Sequence, residues 1–214
     1  MLLSLIKKDF LLVKKYLLLF IIFAGGAPIF LNIRSGNSVG ILGFYVTIIV
    51  LEYTLNTMIW QLEDKYKGSI LLCTTPYTRK ALVEAKYLLV FIIFICSCIS
   101  YAIAEFVVPA NAIKINISQI GISLLIVATF FDITIPALYK FGFTKLRNIM
   151  VMVIFIVPFI SGYIAKALQS NTIDFQYITS LPKLVQNLGP YALTLIITGI
   201  SMALSINIYS KKDL

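Results

Sequence analysis

Six stretches of mostly apolar residues, near 16–33, 39–60, 87–108, 118–138, 149–168 and 190–209, dominate the chain. A helix that crosses the hydrocarbon of a bilayer needs about 20 such residues at 1.5 Å rise each. The interruptions are short and carry turn formers: Arg34-Ser35-Gly36-Asn37, Pro109-Ala110-Asn111, Gly142, Leu181-Pro182 and Gly189-Pro190. No linker is long enough to set off a soluble domain, so residues 1–214 read as one all-α membrane domain with six transmembrane helices. Composition agrees: only 13% of residues are charged and 60% are hydrophobic, against about 25% charged in soluble domains. So few charges cannot cover a soluble core of this size.

The formal net charge of +9 does not point to nucleic acid. The basic residues sit in the breaks between apolar runs, where they set membrane topology, instead of gathering on a folded face. Lys7, Lys8, Lys14, Lys15, Lys65, Lys67, Arg79, Lys80, Lys86, Lys140, Lys145, Arg147, Lys211 and Lys212 fall on one side of a six-span layout. Arg34, Lys114, Lys166 and Lys183 fall on the other. By the positive-inside rule both termini are then cytoplasmic. The first run is followed by no A-x-A-like site and reads as a retained span, not a signal peptide. Lys211-Lys212-Asp213-Leu214 has the spacing of a dilysine retrieval tail but reads as a cytoplasmic flank.

Residues 1–15 form more than a charged tail. Leu2, Leu3, Ile6, Phe10 and Val13 recur at three- and four-residue steps, with Lys7, Lys8, Lys14 and Lys15 on the other side. This pattern predicts an interfacial amphipathic helix with its lysines toward anionic headgroups of the membrane lipid.

Segment 61–86 is the longest cytoplasmic connection and the only one dense in both signs of charge. Glu63, Asp64, Lys65 and Lys67 precede Gly68, Ile70-Leu71-Leu72 forms a short apolar patch, and Thr75-Pro76 sets a turn. A new helix starts at Thr78, its expected N-cap, with Arg79-Lys80 at the membrane surface. A loop that only connects needs four to six residues. A longer patterned one, showing charge and an apolar knob to the cytosol, suits docking in a groove of a soluble partner.

Polar residues inside the runs cost roughly 2.5–3.5 kcal/mol each when charged. Glu52 lies in the second run with Asn56 one turn on and Tyr45 two turns back. Two readings stay open: a stripe lining a translocation path or dimer seam, and hydrogen bonds that only fix packing. Glu105 lies near the outer end of the third run, and Asp132 in the fourth is placed to pair with Lys140. Acids at different depths make no proton relay. A secondary transporter or channel using Glu52 and Asp132 is therefore the rival reading, and a non-transporting membrane assembly factor is another. Pro136 and Pro158 are expected to kink their spans, and the small-residue pairs Gly199/Ala203 and Ser201/Ser205 would let helices approach.

The chain has no histidine, and its three cysteines (Cys73, Cys96 and Cys98) form no metal or disulfide pattern. With no His-Glu-x-x-His zinc motif and no Ser–His dyad, no catalytic site is expected, and the chain holds no metal or cofactor of its own. The tyrosines near span ends and Trp60 fit interfacial belts.

Glu63-Asp64-x-x-x-Gly68, followed by Leu71-Leu72-x-Thr74-Thr75-Pro76-x-Thr78-Arg79-Lys80-x-Leu82-Val83-x-Ala85-Lys86-Tyr87, resembles the loop of ABC-2 type permeases. The opening Leu5-Ile6-Lys7-Lys8-Asp9-Phe10 is similar to the N-terminus of small bacterial members, the membrane-5 subgroup. The resemblance implies an N-terminal elbow helix, six spans and a coupling helix between spans two and three. It implies pairing with a second permease chain, as homo- or heterodimer, and with two copies of a separate ABC ATPase. Carried onto this chain, Glu63, Asp64, Lys67, Leu71, Leu72, Pro76, Arg79 and Lys80 would contact the ATPase. The sequence lacks a Gly-x-x-x-x-Gly-Lys-Ser/Thr loop, so ATP and Mg would sit on the partner. The implied activity is export of an amphipathic or hydrophobic substrate (peptide, toxin or drug) across the bacterial cell membrane.

Overall fold

The structure, a computed structural model, describes residues 2–16, 20, 22, 23, 25, 26, 37–66, 68, 78–107, 116–150 and 182–211. Among these there is no strand. The main elements are α1 (Leu2–Leu12), α2 (Asn37–Lys65), α3 (Arg79–Val107), α4 (Ile117–Phe141) and α5 (Lys183–Ser210). A further helical stretch, 143–150, follows α4 after Gly142. Among the described residues three helices are long and apolar enough to cross a membrane: Arg79–Ile103, Ile117–Phe141 and Lys183–Ser210. Of the six expected spans, 149–168 lies almost wholly outside the described residues and 16–33 largely so. α2 covers the expected 39–60, with Glu52 and Asn56 in its middle lowering its hydropathy.

The helix ends follow from local chemistry. Thr78 caps α3, its Oγ1 accepting the Ala81 N–H at 3.2 Å, as the sequence predicts. At the start of α4 the Gln119 side chain reaches back to accept the Asn116 N–H at 3.0 Å. α4 stops at Gly142, whose φ of 80° is a conformation that side-chain-bearing residues rarely adopt. Its N–H closes the last turn on the Leu138 carbonyl at 2.9 Å.

The cross-section is inverted relative to a soluble bundle. Ile95, Ile99 and Ile103 of α3, Ile133 of α4, and Leu195, Ile196, Ile200 and Leu204 of α5 are exposed. Glu52, Asn56, Ser123, Asp132, Thr194, Ser201 and Ser205 are buried. Lipid accepts the outer isoleucines and leucines without penalty, whereas the polar groups must find partners inside. Ser201 and Ser205 do so between α3, α4 and α5. The Tyr87 hydroxyl lies 2.6 Å from Ser201 Oγ and 2.9 Å from Ser205 Oγ. Ser201 Oγ donates in turn to the Asp132 carbonyl at 2.6 Å.

α4 and α5 run parallel, Asp132 meeting Ser201 and Tyr139 meeting Tyr209, and approach closely where Gly121 meets Pro190 and Tyr191. A Cβ on Gly121 would lie 2.8 Å from the Tyr191 ring, and the Tyr191 hydroxyl is fixed by donating to the Ile117 carbonyl at 2.8 Å. Of the small residues singled out in α5, Ser201 and Ser205 serve this packing. Gly199 and Ala203 face outward.

α1 lies across α3 and α2 at the end where α2, α4 and α5 finish and α3 begins. Among the described basic residues Lys183 alone sits at the far end. The buried face of α1 is Leu5, Ile6 and Asp9, continued by Val13. Leu3, expected on the apolar face, is 76% exposed. The stripe that packs is rotated from the expected one because Asp9 belongs to it.

Substituting Gly121→Ala is expected to destabilise the fold by roughly 1–3 kcal/mol, since overpacking forces the anchored Tyr191 ring to move. Gly199→Ala, with nothing within 4 Å of the added atom, should stay within about 0.5 kcal/mol. Unfolding of both variants in detergent measures the difference; equal effects would contradict the close α4–α5 approach.

Candidate functional site

The end that gathers α1 and the termini of the other helices holds a closed ring of alternating charge. Lys8 Nζ lies 2.9 Å from Asp9 Oδ1 and 2.7 Å from Glu63 Oε1. Lys86 Nζ lies 2.7 Å from Glu63 Oε2 and 3.1 Å from Asp9 Oδ2. Each carboxylate uses both oxygens and each ammonium serves both acids. The side chains of Asp9, Lys86 and Glu63 are only 2%, 10% and 16% exposed. Three elements contribute: α1 gives Lys8 and Asp9, the end of α2 gives Glu63, and the second turn of α3 gives Lys86.

Burial penalises every one of these charges, and it is repaid only if the geometry is good and the net charge is small. The ring is neutral, with two positive and two negative groups. Its Lys8–Glu63, Lys86–Glu63 and Lys86–Asp9 contacts are close, whereas Asp9 Oδ1 beside Lys8 has no hydrogen-bond partner. Burial alone would raise the Glu63 carboxyl, but the Lys86 and Lys8 ammoniums outweigh it and hold it at about 2. Asp9 moves the other way: its deeper burial, helped by the Glu63 charge, outweighs Lys86 and Lys8 and leaves its carboxyl above the ordinary value.

Around the ring, the ends of the coupling segment are held separately. Arg79, the first residue of α3, donates through one guanidinium nitrogen to the Ser210 carbonyl at 2.8 Å and the Tyr209 carbonyl at 3.2 Å. Its guanidinium also lies 5.9 Å from the centre of the Tyr209 ring, which packs on Tyr139 of α4 with 4.6 Å between ring centres. Asp64 is exposed and accepts a long bond, 3.4 Å, from the Thr144 hydroxyl. Lys80 is exposed and pairs loosely with Glu84 at 3.7 Å.

These positions alter the sequence reading of the segment. Glu63 does not show its charge to solvent; it turns inward, toward the buried Lys86 and the partly buried Lys8. Arg79 lies on the end of α5. Lys67, Leu71, Leu72 and Pro76 lie outside the described residues. Lys8, Asp9, Lys86 and Tyr209 were not singled out as site residues. For two of them a signal exists: Asp9 interrupts the apolar stripe Leu5, Ile6, Val13, and Lys86 the stripe Leu82, Val83, Val90. A charge inside an apolar stripe implies a buried partner.

The polar residues of the spans are placed differently from one another. Glu52 and Asn56 are both 0% exposed within the single chain, and Asn56 Nδ2 donates to Glu52 Oε2 at 3.0 Å. Among the described residues they face the interior of this chain, as the packing reading expects. Tyr45 is half-buried beside Phe44, with ring centres 5.8 Å apart. Asp132 does not pair with Lys140. Eight helical residues separate their backbones by about 12 Å, Lys140 lies exposed over the Phe141 ring, and neither carboxyl oxygen of Asp132 has a hydrogen-bond partner. The Glu105 side chain lies outside the described residues. Among the described residues no group of His, Cys, Asp and Glu could hold a metal ion.

Removing Lys86 as Lys86→Met leaves two buried carboxylates facing one ammonium, an expected loss of about 3–5 kcal/mol. Lys80→Gln at the exposed pair should cost no more than about 1 kcal/mol. Glu63 has a folded pKa below its ordinary 4.5, so its stabilisation is complete above that pH and fades as pH falls toward about 2. Unfolding midpoints from pH 6 down to pH 3 should show this loss in the wild type and its absence in Glu63→Gln. Parallel curves would contradict the ring.

A sequence model of the ABC-2 family transporter proteins matches residues 4–210. The match spans α1, all the longer helices and the ion ring. No curated protein matches the chain. The family's members are membrane subunits of transporters, not themselves catalytic, and normally work with ABC ATPase partners. With its apolar helices and this match along nearly its whole length, the chain belongs to the ABC-2 family of transporter permeases.

Proposed function

We propose that the chain is the permease half of an ATP-driven exporter, moving an amphipathic or hydrophobic substrate such as a peptide, toxin or drug outward. In this reading it has six spans, with both termini on the cytoplasmic side of a bacterial cell membrane. It pairs with a second permease, a copy or a relative, and two ABC ATPase subunits dock on the segment between α2 and α3. α1 is the elbow helix, lying at the lipid surface.

One observation carries the proposal beyond family membership. The segment 67–77 leaves α2 just after Glu63 and enters α3 just before Arg79, and both residues are tied to other helices. A loop anchored at both feet passes force to the bundle, whereas a free hairpin would absorb it. The basic end of the bundle carries this loop, which supports placing it in the cytosol by the positive-inside rule. The rival reading, ion-coupled transport through Glu52 and Asp132, gains less support: Glu52 is engaged by its own helix neighbour Asn56 and fully enclosed.

Co-expression with ABC ATPases from the same gene neighbourhood tests the proposal. A stable complex is expected, and Leu71→Asp with Leu72→Asp should abolish it, because charge on the apolar knob cannot enter a groove on the ATPase. Recovery of the chain without any ATPase, or an unchanged complex in the double variant, would overturn the docking role of this segment.

A further inference from the structure

At the end that carries the coupling segment, the helices fall into two groups. The ion ring joins α1, α2 and α3. α4 and α5 form the most extensive pair, held by Gly121 against Tyr191 at one end, by Ser201 on Asp132 in the middle and by Tyr139 on Tyr209 at the other. Between the groups lies a cavity of about 160 Å³. Asp9, Trp60 and Lys86 line it from one side, and Leu138, Tyr139 and Tyr209 from the other.

A void at a seam means that the facing side chains forfeit dispersion contacts there, so the two groups are held at this end by few interactions. Among the described residues, the polar links that cross the seam include three. The Tyr87 hydroxyl on Ser201 and Ser205 lies within the bundle. The Thr144–Asp64 bond is long and exposed. Arg79 crosses at the foot of the coupling segment itself, and it binds backbone carbonyls of the last turn of α5. Those carbonyls lie at the C-terminus of the helix and carry the negative end of its dipole, and the Tyr209 carbonyl also accepts the Lys211 N–H. The planar guanidinium also spreads over the Tyr209 ring, a contact that an ammonium group forms less well.

We infer that Arg79 is a clasp: it makes the α4–α5 pair follow the loop-bearing group α1–α3 across the cavity, and it is a positioning residue, not an ATPase contact. The inference deepens the coupling reading given above. Glu63 links one foot of the loop to α1 and α3, and Arg79 links the other foot to the remaining pair. Displacement of the loop then moves the whole cytoplasmic end together. Without the clasp, the cavity gives α4 and α5 room to lag behind.

The test uses the full chain with Cys73, Cys96 and Cys98 replaced by alanine and spin labels at Lys65→Cys and Lys211→Cys, one on each side of the seam. Electron–electron resonance on the permease alone should give a narrow distance distribution. Arg79→Gln is expected to broaden it, Arg79→Lys to give an intermediate width, and Lys80→Gln to leave it unchanged. Tyr209→Leu, which keeps both carbonyls and removes only the ring, should broaden it less than Arg79→Gln. In the ATPase complex, Arg79→Gln should retain binding and ATP hydrolysis while ATP-dependent export is lost. An unchanged distribution in Arg79→Gln overturns the clasp, and so does loss of ATPase binding in that variant, which would make Arg79 a docking contact. If the wild-type chain binds no ATPase, the exporter proposal fails, while the distance measurement still decides the clasp.

Discussion

The closed ring of Lys8, Asp9, Glu63 and Lys86 is the interaction on which the basic end of this molecule depends. Four charges are taken largely out of water, and none is tolerable there alone. Their alternation makes the group neutral and gives each charge two opposite neighbours within 3.1 Å. Because the four side chains come from three separate elements, the arrangement fixes α1 against the bundle more specifically than its leucines could. An apolar face slides on an apolar neighbour at little cost; an ion ring has one register. That is a reason for an amphipathic helix at a membrane surface to keep an acid within its packing stripe.

The same constraint, that polar groups within the bundle must meet one another, shapes the spans. The exposed surfaces of α3, α4 and α5 are isoleucine and leucine, which lipid accommodates without specifying a helix partner. Specificity comes from inside, where Tyr87, Ser201, Ser205 and the Asp132 carbonyl form a short hydrogen-bonded chain linking three helices. Glu52 and Asn56 satisfy part of their need within α2. The packing is therefore a small set of polar contacts in an apolar matrix, tightest where Gly121 lets α5 come close and loosest at the cavity beside the ring. A bundle built in this way is least closely packed at the end from which the segment between α2 and α3 leaves.

Much of the fold was legible in the sequence, because hydropathy and charge placement report directly on the bilayer. The apolar runs foretold α3, α4 and α5, and Gly142 and the Thr78 cap stand where they were expected. Gly189-Pro190, read as a break, instead lies inside α5, which starts at Lys183. The reading of individual charges went less far. Loop residues such as Glu63 and Arg79 look solvated when read along the chain, since their partners lie 55 and 130 residues away. Only a fold brings Lys8 to Glu63, or the last turn of α5 to Arg79. Asp132 and Lys140 erred in the opposite sense: near in sequence, they are too far apart along a helix to touch. The signal that could have been used was the pair of charges, Asp9 and Lys86, lying within apolar stripes.

The account stands or falls on whether the ring acts as one unit. A double-mutant cycle with Glu63→Gln and Lys86→Met, read from unfolding in detergent, measures that directly. A shared ring predicts that the double variant is less destabilised than the two single losses combined, with a coupling of about 0.5–3 kcal/mol. Additivity within about 0.5 kcal/mol would mean that the two charges act independently, and that α1 is held by its apolar face alone.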